Sequence, residues 1–148
     1  MLSLDFVSIS ISSKESLSQS SRVLSFLDSR RIFPKGGGEY LIFGSESQLS
    51  QKLPEFAEIY VARKDKKKLR ARLLLRESMR GTGKKMSKYT KVRYVPKDIR
   101  SLINLNVYEN KVALFLWSEI PEAIIIDNKD AADSFRSYFE FMWEKAKA

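Results

Sequence analysis

The chain has 148 residues, 43% hydrophobic and 11% aromatic, with a formal net charge of +9; this is enough apolar material for one packed domain and argues against global disorder. It contains no cysteine and no histidine, which excludes a disulfide framework, thiolate and zinc–sulfur chemistry, Ser-His-Asp and Cys-His nucleophile systems, and the commonest transition-metal ligand. No apolar run approaches the roughly 18 residues of a membrane span, and the start MLSLDFVSISISS has no basic leader and carries Asp5, so neither a signal peptide nor a membrane segment is expected and the composition fits a reducing cytoplasm.

Residues 5–12 alternate apolar and polar, with Val7, Ile9 and Ile11 against Ser8, Ser10 and Ser12, the period of a half-buried strand. Residues 16–31 change to helical spacing through Leu17, Val23, Leu24 and Leu27, and the run from Phe33 to Gly38 ends that helix in a loop. EYLIF (39–43) predicts a short buried strand ending at Gly44, and Ser45 with Gln48 fits a capping box for a following helix. Pro54 is tolerated only at a first helical turn or a break, which predicts either a kinked helix or two helices, the second over 54–64. On it Phe56, Ile59, Tyr60 and Arg63 share faces. LRARLLL (69–75) begins alternating and becomes uniformly apolar, as a central strand does.

The stretch 77–88 is a polar, glycine-bearing excursion. Strands are expected at 92–95, closed by Pro96, and at 102–108 and 111–117, with Glu109-Asn110 as a hairpin turn. A further strand at 123–126 leads to Asp127 or Asn128 as the cap of a last helix, whose Ala131, Ala132, Phe135, Phe139, Met142 and Ala146 recur every three or four residues. That stripe, with Trp143, reads as core, and the strand-ending Trp117 as core or interface. The whole is an α/β layered domain.

The charge is uneven. Residues 62–100 hold 16 Lys or Arg against Asp65, Glu77 and Asp98, a balance of +13, while the remainder holds 11 basic against 15 acidic residues, −4. Two main readings of the basic segment stand side by side, with binding of an anionic small ligand as a third. In one, Arg63, Lys64, Lys66, Lys67, Lys68, Arg70, Arg72, Lys84, Lys85, Lys88, Lys91 and Arg93 track phosphates, and Tyr89 and Tyr94 stack on bases. In the other, the same residues are a solvated helix end and strand face, the helix-terminal lysines being favoured by the dipole. The loop from Arg80 to Lys85 lacks the GxxxxGK[ST] spacing of a phosphate-cradling loop. No dense acidic cluster suits a metal, and no cofactor is expected.

Four segments in order carry a resemblance: EYLIFGS (39–45), LPEFAEIYVARKDKKKLRARLLL (53–75), KVRYVP (91–96), and NVYENKVALFLW followed by PEAIIIDNKDAADSFRSYFEFMW (106–143). This set resembles the non-catalytic phospholipase-D-like effector domain of archaeal TrmB-type transcriptional regulators. The resemblance implies a phospholipase-D-like layered fold, a mixed sheet flanked by helices with a C-terminal amphipathic helix, over residues 39–148 of a single domain 1–148. Catalysis in the enzymes of this fold needs His-x-Lys-x-x-x-x-Asp; aligning Lys111 with the motif lysine puts Glu109 at the histidine and Leu116 at the aspartate, so the resemblance implies a degenerate active-site position and no enzyme.

Residues 1–38, read as a strand and a helix, are too short for the winged helix such regulators carry. The resemblance therefore implies a non-catalytic effector or dimerisation domain, mediating protein association or ligand sensing, as a homodimer or with a DNA-binding partner protein. The alternative from the charge is direct nucleic-acid binding through residues 62–100.

Overall fold

The computed structural model describes residues 3–8, 38–45, 48–82, 85–101, 103–117 and 122–148. Seven strands form one sheet: β1 (Ser3–Ser8), β2 (Tyr40–Ser45), β3 (Ala71–Arg76), β4 (Thr90–Val95), β5 (Ile103–Tyr108), β6 (Lys111–Leu116) and β7 (Glu122–Asp127). Their spatial order is β1-β7-β6-β5-β2-β3-β4. β2, β3 and β4 run parallel, and every other neighbouring pair is antiparallel. Parallel neighbours need a long connection: helices join β2 to β3, and a longer stretch whose described part holds a 3₁₀ turn joins β3 to β4. β3 lies between two parallel neighbours and buries Ala71, Leu73, Leu74 and Leu75 on both faces, which explains its uniformly apolar end.

Among the described residues three helices flank the sheet: α1 (Gln48–Lys52), α2 (Pro54–Lys66) and α3 (Lys129–Lys145), with a 3₁₀ turn at Glu77–Met79. Pro54 splits α1 from α2 and sits in the first turn of α2, where its missing N–H costs nothing. The expected capping box from Ser45 to Gln48 runs through positions 46–47, outside the described residues; α1 begins at Gln48, whose side-chain amide donates to the Ser101 carbonyl, 2.9 Å away. At α3 the cap is Asn128, whose side chain accepts from the Ala131 N–H at 2.9 Å. On α2, Tyr60 packs inward while Ile59 is exposed, so the two do not share a buried face.

The core has two layers. On one face Tyr40, Ile42, Leu69, Leu73, Leu75, Tyr108 and Ile125 pack with Tyr60 of α2. On the other Leu41, Phe43, Leu74, Val107 and Val112 meet α3 through Ala132, Phe135, Phe139, Met142 and Trp143. The period-two alternation of β2 sends neighbouring residues to opposite layers. Gly44, at φ +76°, is required by close approach: a Cβ there would lie 2.3 Å from the Ile103 carbonyl oxygen.

β1 pairs with β7 through six residues, Ser3 opposite Asp127 and Ser8 opposite Glu122, so the N-terminal strand belongs to the same sheet. It begins earlier than the alternation suggested. The helix expected over 16–31 lies outside the described residues. No helix among the described residues is long and apolar enough to cross a membrane.

Candidate nucleic-acid interface

β3 and β4 are in register from Ala71 opposite Thr90, so the loops entering them leave the sheet at the same end. One loop is the α2 terminus with Lys66, Lys67, Lys68 and Arg70; the other carries Lys85, Lys88 and Tyr89. Asp65 joins them. Its carboxylate accepts from the buried Ser87 hydroxyl at 2.6 Å and from the Lys88 N–H at 3.1 Å. An acid in the last turn of a helix opposes the dipole; here it ties one basic loop to the other. Lys66, Lys67, Lys68, Arg70, Lys85, Lys88 and, one residue into β4, Lys91 are all exposed.

α2 ends in a Schellman motif: the Leu69 N–H reaches the Lys64 carbonyl at 3.0 Å and the Lys68 N–H the Asp65 carbonyl at 3.0 Å. The motif needs a left-handed residue, ordinarily glycine. Lys68 occupies it, at φ 49°, and a left-handed non-glycine residue costs roughly 1–2 kcal/mol. The strained position thus presents an ammonium group instead of relaxing to glycine.

Arg72, Arg93 and Lys64 do not join this surface. Arg72 points to the α3 face, where it makes paired hydrogen bonds to Glu39 (2.7 and 2.8 Å) and to Glu140 (2.9 and 2.5 Å). Its guanidinium lies 5.2 Å from the Phe139 ring centroid and 5.3 Å from that of Trp143. The Glu140 hydrogen bond, with Glu39 beside it, holds Arg72 charged well above its usual range, and Arg72 in turn lowers the Glu140 carboxyl.

Arg93 donates to the Trp143 carbonyl at 2.7 Å and stacks on the same ring at 4.9 Å. Lys64 is buried against Tyr40 and Tyr60. Tyr94, expected to stack on bases, is covered by the Arg80 guanidinium at 3.8 Å and packs into the core. Tyr89 is half-buried with the Lys88 ammonium 5.2 Å over its ring. Arg63 lies one turn back on α2 and is half-buried. Lys84 lies outside the described residues.

Glu109, Lys111 and Leu116 are not brought together. Glu109 occupies the hairpin turn at φ 47°, and its carbonyl accepts from Arg136. Lys111 begins β6 on the α2 face, 3.7 Å from the Asp127 carboxylate. Leu116 ends β6 on the opposite face, because five residues along a strand reverse the side and span roughly 17 Å.

Sequence reasoning missed Asp65 and Ser87, whose roles depend on a contact across 22 positions. The only signal for Asp65 was an acid set among lysines. It also missed Glu39 and Glu140 as the partners of Arg72.

No protein-family model matches the chain, and no curated protein does. Solved structures do. TrmBL2, described as an archaeal chromatin protein with a novel mode of DNA binding, is 13% identical at a TM-score of 0.54; the match covers 97% of this chain but 53% of TrmBL2, so this chain spans about half its length. NucT from Helicobacter pylori is 12% identical at 0.57, covering 100% and 99% of the two chains. Nuc from Salmonella typhimurium, a phospholipase D family member, is 19% identical at 0.55, covering 99% and 97%. At such identity the likeness concerns architecture: the chain has a phospholipase-D-like fold resembling that of a TrmB-type protein.

Proposed function

We propose that the protein is a non-catalytic phospholipase-D-like domain that binds nucleic-acid backbone through the basic end of its sheet. The observation that carries this is the Asp65–Ser87 clamp, which holds Lys66, Lys67, Lys68 and Arg70 beside Lys85 and Lys88. Clustered exposed cations release condensed counterions on meeting phosphates, and that release supplies sequence-independent affinity. Base readout has no support in the site, because Tyr89 and Tyr94 are engaged within the fold. The likeness to a DNA-binding chromatin protein favours the same reading. The missing histidine leaves no covalent nucleophile for phosphodiester cleavage of this type.

The test is binding to a mixed-sequence duplex and to a single-stranded oligonucleotide at about 50 and 200 mM salt, with oligomeric mass measured in the same runs. Four phosphate contacts predict a loss of roughly a hundredfold across that range. Affinity independent of salt would sink the proposal. Turnover of a phosphodiester substrate that vanishes in Lys111→Ala would overturn its non-catalytic half.

One observation favours the second reading, an effector domain working by protein association as a homodimer or with a DNA-binding partner. Tyr138 and Phe141 on the outer side of α3 are 61% and 65% exposed, and aromatic residues are enriched at protein interfaces. A stable dimer that dissociates in Tyr138→Ser/Phe141→Ser, with no salt-dependent nucleic-acid binding, selects it.

A further inference from the structure

A hollow opens on the α3 side of the sheet, at the opposite end from the basic loops. Phe43 of β2 and Leu74 of β3, both buried, form its floor. Val95 at the end of β4 and Met142 of α3 stand beside them, and half-buried Arg76 and exposed Ile99 lie at the rim. β2, β3 and β4 are parallel, and the hollow adjoins their carboxyl ends, where sheets of this kind bind small molecules. The basic loops enter β3 and β4 at their amino ends, a strand length or roughly 17 Å away.

The hollow has a volume of about 50 Å³. One water needs roughly 10–15 Å³ of such space, so about four groups the size of a water or a methyl fit. The walls select between them. The Ser101 hydroxyl borders the hollow but donates to the Ile103 carbonyl at 2.7 Å and accepts from the Ile103 N–H at 3.1 Å. Gly44, also at the wall, brings no side chain. A floor of Phe43 and Leu74 is poor ground for water and good ground for hydrocarbon.

Among the described residues lining the hollow, Arg76 alone is charged and none is acidic. Arg76 also has contacts within the fold; what it lends the rim is a fixed positive charge on a planar fork, the group that best recognises a carboxylate.

We propose that this hollow binds a short aliphatic carboxylate, with a chain of about four carbons on Phe43, Leu74 and Met142 and the carboxylate at the rim beside Arg76. The proposal rests on the fold alone and stands apart from nucleic-acid binding at the far end of the sheet.

The experiment is methyl NMR of the full chain titrated with acetate, butanoate, pentanoate and octanoate at matched ionic strength, with pentanol as the neutral probe. Met142 and Ile99 report on the hollow; Met79 and Met86, which pack on the α2 face, are internal controls. Pentanoate is expected to give saturable shifts at Met142 and Ile99, with a Kd on the order of millimolar, and none at Met79 and Met86. Each buried methylene strengthens binding about fourfold, so pentanoate binds at least about tenfold tighter than acetate. Octanoate gains nothing further, because the hollow is already full. Arg76→Met keeps the length and removes the charge: pentanoate affinity falls several-fold and pentanol affinity stays. If Arg76→Met does not fold, Ile99→Ser, at an exposed position, weakens pentanoate and pentanol together.

No saturable shift at Met142 overturns the site. So does affinity that ignores chain length, or that keeps rising to octanoate, which marks adsorption on apolar surface. Equal pentanoate affinity in wild type and Arg76→Met overturns the carboxylate. Loss of binding in Lys66→Ser/Lys67→Ser/Lys68→Ser overturns the site too, because the anion then sits on the exposed loops. Duplex binding that ignores salt sinks the nucleic-acid reading and leaves this one standing.

Discussion

Arg72 and Lys68 stand four residues apart in one basic segment and have opposite fates. Arg72 enters the sheet on the α3 side, is half-buried, and is neutralised by Glu39 and Glu140 while its plane rests on Phe139 and Trp143. Arg93, two residues past the register partner of Arg72, does the same work against Trp143. Lys66, Lys67, Lys68 and Arg70, just before the strand, remain exposed in water. A charge run in a sequence is therefore not one surface. Where a strand faces an aromatic helix, guanidinium groups become packing, because arginine offers a flat face and a fork of donors together; where the chain turns, ammonium groups stay solvated.

The largest effect that tests this contrast is on stability. Arg72→Ala removes a guanidinium packed on Phe139 and Trp143 and returns two exposed carboxylates to water, and is expected to cost about 1–2 kcal/mol by chemical denaturation, mostly through lost packing, with nucleic-acid affinity unchanged. The pH profile sharpens the same test. Arg72 holds the Glu140 carboxyl below its usual value, so this contribution is present above that value and is lost as pH falls through the depressed folded one. The acid limb of the stability profile should flatten in Arg72→Ala. A stable variant with weakened nucleic-acid binding would erase the distinction between the two groups.

Lys66→Ser/Lys67→Ser/Lys68→Ser is expected to do the reverse. Stability stays within about 0.5 kcal/mol, apart from any change at the left-handed residue. Duplex affinity at low salt falls about a hundredfold, and the slope of log affinity against log salt drops by up to about 2.7.

Much of this layout was legible. Hydrophobic period placed β3, the β5–β6 hairpin and the stripe of α3, because each buries a face defined by neighbours close in sequence. Pro54 marked the break between α1 and α2 for a purely local reason. The division of the basic segment was not legible. Whether Arg72 or Lys68 meets water depends on which face α3 covers, and Glu140 lies 68 positions from Arg72. The degenerate active-site alignment is a contrary case, since the strand expected at 111–117 already sets Lys111 and Leu116, five positions apart, on opposite faces.

Asp65 sits on the boundary between the two groups and separates charge from arrangement. Asp65→Ala removes a negative charge from the patch, which by Coulomb attraction alone strengthens phosphate binding. It also releases the Ser87 hydroxyl and the Lys88 N–H, with an expected loss of about 1–2 kcal/mol of stability. If holding the two loops together is what matters, affinity falls a few-fold although the net charge rises. A rise in affinity would show that the loops bind as independent cations and that the clamp serves folding only.

The smallest effect is the most specific to one residue. Lys68 occupies the left-handed end of α2 at φ 49°, where glycine meets no Cβ penalty. Lys68→Gly and Lys68→Ala both delete the ammonium, but only glycine relieves the backbone. Lys68→Gly is therefore expected to unfold about 1 kcal/mol later than the wild type, and Lys68→Ala to gain nothing. Both should lose the same few-fold of duplex affinity and about 0.9 of the salt slope. That pairing assigns the strain to the charge it carries: the fold is more stable without Lys68, and the ligand is held less tightly. Equal stability of the two variants would remove the backbone argument, and undiminished affinity in both would leave Lys68 as a helix-end lysine with no part in binding.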